Sequence, residues 1–311
     1  MTPEILVDLF KKGTKRFYLL GDINNGVLIG LDLEGRIYTI FNKNVVSRVN
    51  PDAILGQTTR NGYINPGGDG LWPAPEGTNK GYFYVNGEWR VPPGLSGATY
   101  IVTKEKENYV RIEAEIDLIN CLGYGIPTIF SREITLITAV NSLHLRVKES
   151  IQYLGTKPLT SQNGLITPWS LCQFDSNVNT EVVFPETDLK NFWDLYKNSS
   201  HKRTLKNGLW HTRTDGGDRY QIAMNDKIDW IEFRHPLKDL IVKRSIHNQS
   251  PADHYIDISD ASPDVIPSNK GVKFSVYSDP SLFMEIEAAG GCPPSLNSGD
   301  IMFVEIDTVF S

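Results

Sequence analysis

The chain has little cysteine, no tract of basic residues and no long apolar run. Cys121, Cys172 and Cys292 are its 3 cysteines in 311 residues. They are far apart and odd in number, which excludes a disulfide framework and a zinc ribbon. Reduced, buried thiols are expected. The formal net charge is -6, and with no Lys/Arg run to override it a nucleic-acid partner is not expected. No apolar segment is long enough to cross a bilayer, so no membrane partner is expected. The opening residues, Met1-Thr2-Pro3-Glu4-Ile5-Leu6-Val7-Asp8, lack the basic and apolar regions of a secretory signal, and the expectation is a cytoplasmic protein.

Common catalytic signatures are missing as well. There is no H-E-x-x-H and no phosphate-binding G-x-x-x-x-G-K-S/T. Gly94-Leu95-Ser96-Gly97-Ala98 stops short of a nucleophile elbow because position 98 is Ala. Asp257, Asp260 and Asp264 lack calcium-loop spacing and read as turn residues. The histidines, His144, His201, His211, His235, His247 and His254, show no metal-ligand spacing. No cofactor and no metal are expected. His144 reads as solvated on the outward face of its strand, and His211 and His235 as hydrogen-bonded structural groups.

What is present is β-pattern. Residues 2–13 read as a short helix, with Thr2 as cap, Pro3 in the first turn, Ile5, Leu6, Leu9 and Phe10 on one face, and Gly13 at the C′ position. Beyond it, Gly26 to Asn42 is a hairpin around Leu33-Glu34-Gly35-Arg36. Val110, Ile112, Ala114, Ile116 and Leu118 alternate with Arg111, Glu113, Glu115 and Asp117. Ile134 and Leu136, then Leu143, Leu145 and Val147, give a hairpin around Asn141-Ser142. Val272, Phe274 and Val276 form a strand turning at Asp279-Pro280, and Met302, Val304 and Ile306 the last strand. Residues 187–197 suggest a second helix through Leu189, Phe192, Trp193 and Tyr196. Many short alternating strands predict an all-β, antiparallel sandwich. The division expected is a lead-in over 1–19 and one domain over 20–311.

Two segments carry candidate chemistry. Gly67-Gly68-Asp69-Gly70-Leu71-Trp72-Pro73-Ala74-Pro75-Glu76 sets an indole and a carboxylate in a stiff, glycine- and proline-shaped stretch. A flat ring beside a carboxylate suits a sugar, with its apolar C–H face and rim of hydroxyls. The plainer role for Trp72 is a core plug. In Leu282 to Ala288, Glu285 and Glu287 stand at i and i+2, so both point to one face of a strand. There one acid raises the pKa of the other by like-charge repulsion, as a general base needs. The plainer role is a solvated outer face.

Four segments, Gly67–Glu76, Ser131-Arg132-Glu133-Ile134, Thr167-Pro168-Trp169-Ser170-Leu171 and Phe283-Met284-Glu285-Ile286-Glu287, occur in the order found in the galactose mutarotase-like, or aldose epimerase-like, superfamily. The chain resembles a bacterial branch of it with a GG-x-x-LWPAPE segment and a late ME-x-E strand, and Leu296 with Ser298-Gly299-Asp300 resembles that branch's closing turn. The resemblance implies a β-supersandwich, a sugar bound on a concave sheet, and an aldose 1-epimerase-like isomerase with a late-strand Glu as base and a His as acid. Glu285 matches the Glu, with Glu287 beside it. Where the His stands, this chain has Thr167, and where relatives often carry a basic residue it has Gly70. On this reading Trp72 and Trp169 are stacking platforms, Arg132 and Lys243 donors to hydroxyls or a carboxylate, and Asp69, Glu76, Glu285 and Glu287 acceptors or acid–base groups. Candidate acids in place of the His are His211, His235, Lys243 and Asp69. The alternatives are a lectin-like binder without the acid and a purely structural sandwich. The expected partner is a sugar or oligosaccharide, and the expected assembly a monomer or weak dimer.

Overall fold

Strands that alternate apolar and polar residues hide only one face, and here two sheets hide theirs against each other. The computed structural model describes residues 1–56, 62–85, 87–139, 141–250, 254–255, 258–268 and 270–311, with Thr138, His254 and Tyr255 described in backbone only. Among these residues the first sheet has 10 antiparallel strands. Its path runs Phe17–Gly21, Gly26–Gly30, Arg36–Phe41, Asp69–Ala74, Thr167–Asp175, Phe283–Ala289, Phe274–Asp279, Tyr220–Met224 and Phe192–Asp194, with Asn44–Val45 beside the third. The second, also of 10, runs Arg203–Lys206, Leu209–Arg213, Glu181–Pro185, Trp230–His235, Leu240–Gln249, Ile301–Phe310, Ser142–Tyr153, Gly125–Ala139, Tyr109–Ile119 and Ile101–Lys106. No helix among the described residues is long and apolar enough to cross a membrane.

The period-2 patterns set the inner faces. Val110, Ile112, Ala114, Ile116 and Leu118 are buried, and join Leu71, Phe174, Val276 and Ile286 of the first sheet in one apolar core. The expected hairpins form, with Glu34 (φ 56) and Gly35 (φ 63) turning one and Asn141 (φ 62) another. All 3 cysteines are free, and Cys172 and Cys292 are buried.

The helix is Pro3–Lys12, and its Leu6 and Phe10 pack on Leu28, Tyr38 and Ile40 on the outer side of the first sheet. Gly13 does not take the left-handed C′ position. It stays right-handed (φ -75) and Thr14 turns left-handed (φ 54). Gly13 answers a close approach instead, because a Cβ there would lie 2.2 Å from the carbonyl oxygen of Ile54.

Residues 187–197 form no α-helix. A single 3-10 turn, Leu189–Asn191, leads into the edge strand Phe192–Asp194, which pairs with Tyr220–Met224. The edge of the sheet offers unpaired backbone groups, and pairing them buries Phe192 while Leu189 stays exposed. His144 is not freely solvated either, since its Nε2 lies 2.7 Å from Asp307 Oδ1. Of the three turn aspartates, Asp264 accepts from Ser262 in a turn, and Asp257 lies outside the described residues. Asp260 enters the site below.

Candidate functional site

The strand Phe283–Ala289 turns Met284, Ile286 and Ala288 into the core and Glu285 and Glu287 to the opposite face, away from the second sheet. Register fixes their neighbours. Gln173 and Tyr277 flank Glu285, and Leu171 and Ser275 flank Glu287. Trp72 and Trp169 sit opposite each other on the two strands beyond. Gly67 (φ 80) and Gly68 (φ 71) make the turn that delivers the Trp72 strand, in a conformation other residues avoid.

Together these side chains line a cavity of about 430 Å³, within the range of small-molecule sites. Trp72, Trp89, Trp169 and Tyr63 form one aromatic group at its border, with Trp72 centroids 6.0–6.5 Å from those of Trp169, Tyr63 and Trp89. Tyr196, Tyr277 and Phe283 form another, and the Arg219 guanidinium lies 4.7 Å from the Tyr196 ring centre. Arg219 also donates to the Tyr277 hydroxyl (3.0 Å) and to Asp260 (2.9 Å), which in turn accepts from Tyr84 (2.6 Å). Glu76 accepts from the Trp89 indole N–H at 2.8 Å. Aromatic faces and polar groups thus alternate around a partly open space.

Glu285 is 6% exposed and Glu287 1%. Glu285 accepts from Gln173 Nε2 at 2.6 Å, and Glu287 from Trp169 Nε1 and Gln221 Nε2, each at 3.0 Å. Burial pushes both carboxyls up, Glu287 the further because it also feels the charge of Glu285 and shares a hydrogen bond with it. Two buried carboxylates side by side repel each other when both are charged, so joint ionisation of the pair is disfavoured. Arg36 draws the negative charge toward Glu285.

Arg36 also accounts for Gly70. A Cβ at position 70 would lie 2.5 Å from Arg36 Nη1 and 2.6 Å from its Cζ. The guanidinium, reaching over from the neighbouring strand Arg36–Phe41, fills the place a side chain at 70 would need. It is held by Glu34 (2.8 Å) and the Tyr63 hydroxyl (2.9 Å) and lies 5.6 Å from the Trp72 ring centre. Positive charge is therefore present beneath the cleft, supplied from another strand.

Of the eight side chains singled out from sequence, Trp72, Glu76, Trp169, Glu285 and Glu287 line the cavity. Asp69, Arg132 and Lys243 do not. Asp69 and Arg132 point inward between the sheets. Arg132 donates to Glu149 (2.9 Å) and Asp69 (3.0 Å), and Arg244 bridges Asp69 (3.2 Å), Ser170 (2.8 Å) and the carbonyl of Ile286 (2.7 Å). The physical reason is phase. Arg132 shares the phase of Phe130 and Ile134, and Asp69 that of Leu71, all core residues. Lys243 has the opposite phase to Arg244, so it projects from the far side of the second sheet, 4.1 Å from the Trp230 ring centre. His211 lies against Glu181 (3.0 Å) and His235 against Asn177 (3.1 Å), both on the second sheet and outside the cavity. None of the four side chains considered as acid in place of a His reaches the cleft.

Sequence reasoning missed Trp89, Tyr63, Tyr196, Arg219, Gln221, Asp260 and Tyr277. Tyr277 was recoverable: counting back from the Asp279-Pro280 turn sets it opposite Glu285, as observed. The others arrive from loops and from strands distant in sequence.

Burial separates two tryptophans of the same aromatic group. Trp72 is 6% exposed and packs on Phe83 at 4.7 Å, whereas Trp89 is 41% exposed. Trp72→Ala is expected to cost roughly 3–5 kcal/mol of stability, the range for emptying an aromatic site in a core. Trp89→Ala is expected to cost about 1 kcal/mol or less and to weaken ligand binding by roughly 0.5–1.5 kcal/mol, the worth of a stacked ring. Urea midpoints and ligand titrations of both variants check this; equal midpoints would overturn it.

Solved structures share this architecture. A galactose mutarotase-like protein from Lactobacillus casei ATCC 334 matches with a TM-score of 0.60 at 10% identity, over 95% of this chain and 100% of that one. A galactose mutarotase-like protein from Clostridium acetobutylicum matches with a TM-score of 0.56 at 12% identity, over 93% of each chain. A galactose mutarotase related enzyme from Lactobacillus acidophilus matches with a TM-score of 0.52 at 10% identity, over 95% of this chain and 97% of that one. The fold is thus the galactose mutarotase-like β-sandwich. Within it the chain belongs to the Family of unknown function (DUF6786), whose model matches residues 7–229. Among curated proteins none matches it.

Proposed function

We propose that this protein binds a pyranose sugar in the cleft and interconverts its anomers, as an aldose 1-epimerase-type isomerase with Glu285 as base. The observation that carries this reading is the Glu285–Glu287 pair, buried side by side with both carboxyls pushed up by burial, on the floor of an aromatic-walled cavity. A carboxylate with its pKa raised toward neutrality is suited to take a proton near pH 7. Glu285 removes the proton of the anomeric hydroxyl, and the O1–H electrons form the C1=O1 double bond. The C1–O5 bond breaks, O5 takes a proton, and the open chain rotates about C1–C2. Reclosure on the other face reverses each step. Exposed faces of Trp89 and Tyr277 fit the C–H side of the ring, and Gln221 and Asp260 its hydroxyls.

A binder without turnover is the second reading, favoured by one observation: no histidine among the described side chains lines the cavity. NMR saturation transfer between anomers, across a panel of hexoses and hexuronic acids, separates the two. Exchange faster than the spontaneous rate is the expected result. Line broadening without faster exchange would assign binding alone, and neither on any sugar tested would refute both readings.

A further inference from the structure

A sugar ring presents two different demands to the cleft. Its anomeric hydroxyl carries a hydrogen, which Glu285 can accept. Its ring oxygen carries none and can only accept, so whatever meets it must be a donor. During ring opening that donor must also release a proton, which the other charged groups near the pair among the described residues are not placed to do. The Glu287 oxygens already accept from Trp169 and Gln221, and its carboxyl lies beside that of Glu285. Arg219 turns its Nε to Tyr277 and its Nη2 to Asp260, and although other N–H groups of it remain, a guanidinium does not give up its proton.

Glu76 is placed to do this. It leaves the Trp72 strand at the cavity and is 6% exposed. Its backbone is tied down, with its carbonyl accepting from the N–H groups of Tyr82 and Phe83, both at 3.1 Å. The Trp89 indole fixes Oε1, while among the described residues Oε2 has no hydrogen-bond partner. We propose that Glu76 is the proton donor of this cleft, giving the ring oxygen of a bound sugar the hydrogen bond, and during ring opening the proton, that no histidine among the described side chains supplies. The inference rests on the reading of the cleft as a sugar site.

The surroundings keep that proton in place. Glu76 faces Asp260 from the loop before residue 261, Glu285 from the sheet, Arg219 and Tyr196 from the far edge, and Trp89. Burial and then the charge of Asp260 push its carboxyl up to about 8, while Trp89 and Arg219 pull the other way. At pH 7 it is an acid. In the opening step the Glu76 O–H bond breaks as the C1–O5 electron pair moves to O5 and takes the proton. In reclosure O5 returns it as it attacks C1. Glu285 takes and returns the O1 proton in the same cycle, so neither group is consumed.

Glu76→Gln keeps the shape and a donor but cannot release a proton. Wild type and E76Q are compared with D-glucose, D-galactose and their methyl glycosides, the last of which cannot open. E76Q should bind sugar at pH 6 yet lose at least about 100-fold in anomer exchange. Wild-type affinity should fall as pH rises through 8, and E76Q affinity should stay flat. In carboxyl ¹³C spectra the signal missing from E76Q should titrate near pH 8. Exchange by E76Q at the wild-type rate, the same pH dependence in both proteins, or a Glu76 midpoint below 6 would overturn the donor role while leaving the sugar reading intact. A wild type that binds no sugar of the set would refute the sugar reading and the donor role with it.

Discussion

Glu285→Gln is expected to slow anomer exchange by about 10²–10⁴-fold, the usual worth of a general base, and at the same time to make the folded protein more stable at neutral pH. The two effects share one cause. Burial holds the Glu285 and Glu287 carboxyls above the ordinary 4.5. Below about pH 4.5 both folded and unfolded chains carry these protons, and stability is unaffected. As pH rises, the unfolded chain ionises before the native pair does, so stability falls by up to about 1.4 kcal/mol per pH unit for each proton retained. Replacing Glu285 removes one of the two like charges, and Gln173 can still pair with an amide there. The decline between pH 5 and 8 should become shallower, with a net gain in stability at pH 7. Urea unfolding at pH 5 and 8, run beside saturation-transfer rates, measures both. A variant that keeps its exchange rate is inconsistent with Glu285 as base. One whose stability changes equally at the two pH values is inconsistent with carboxyls held above their ordinary range.

Arg132→Met should be as damaging to folding as Trp72→Ala, for a reason unrelated to ligand. Arg132 is fully buried and bonded to Glu149 and Asp69, and its side chain also reaches the carbonyls of Gly35 (2.7 Å) and Asp69 (2.8 Å). Removing it leaves Glu149 charged or neutral without its partner, a loss of roughly 3–5 kcal/mol. Adding Glu149→Leu should restore much of that, because a well-packed apolar pair can replace a buried ion pair. Asp69 keeps Arg244, and Arg244 still holds the Ile286 carbonyl between the two cleft glutamates. Sugar affinity of the double variant, where folded, should match wild type. A midpoint shift under about 1 kcal/mol with a selective loss of sugar binding would restore Arg132 to the role of ligand contact.

The amino-acid sequence by itself determined which residues share a face. Alternation assigned Glu285 and Glu287 to one side of a strand, and Val110 to Leu118 to the core, because the strand period of two leaves no freedom. The Asp279-Pro280 turn likewise determined what stands beside Glu285. The Trp72-to-Glu76 stretch brought its indole and its carboxylate to the cleft as a unit, since little of that backbone can bend. Alternation does not state which face is dry and which is open, and here both faces of the first sheet are largely covered. That is why Asp69 and Arg132, polar residues in the phase of the core, were placed at the ligand from sequence and lie between the sheets. Only the tertiary structure decided strand order, which carries Arg36 into the space above Gly70 and sets Gln173 and Gln221 beside the glutamates. It also decided the positions of Trp89, on a strand of only two residues, and of Asp260 and Arg219, in loops, none of which has a period to read. Those loops, through burial and the charge of Asp260, turn Glu76 from an ordinary carboxylate into a group that keeps its proton at pH 7.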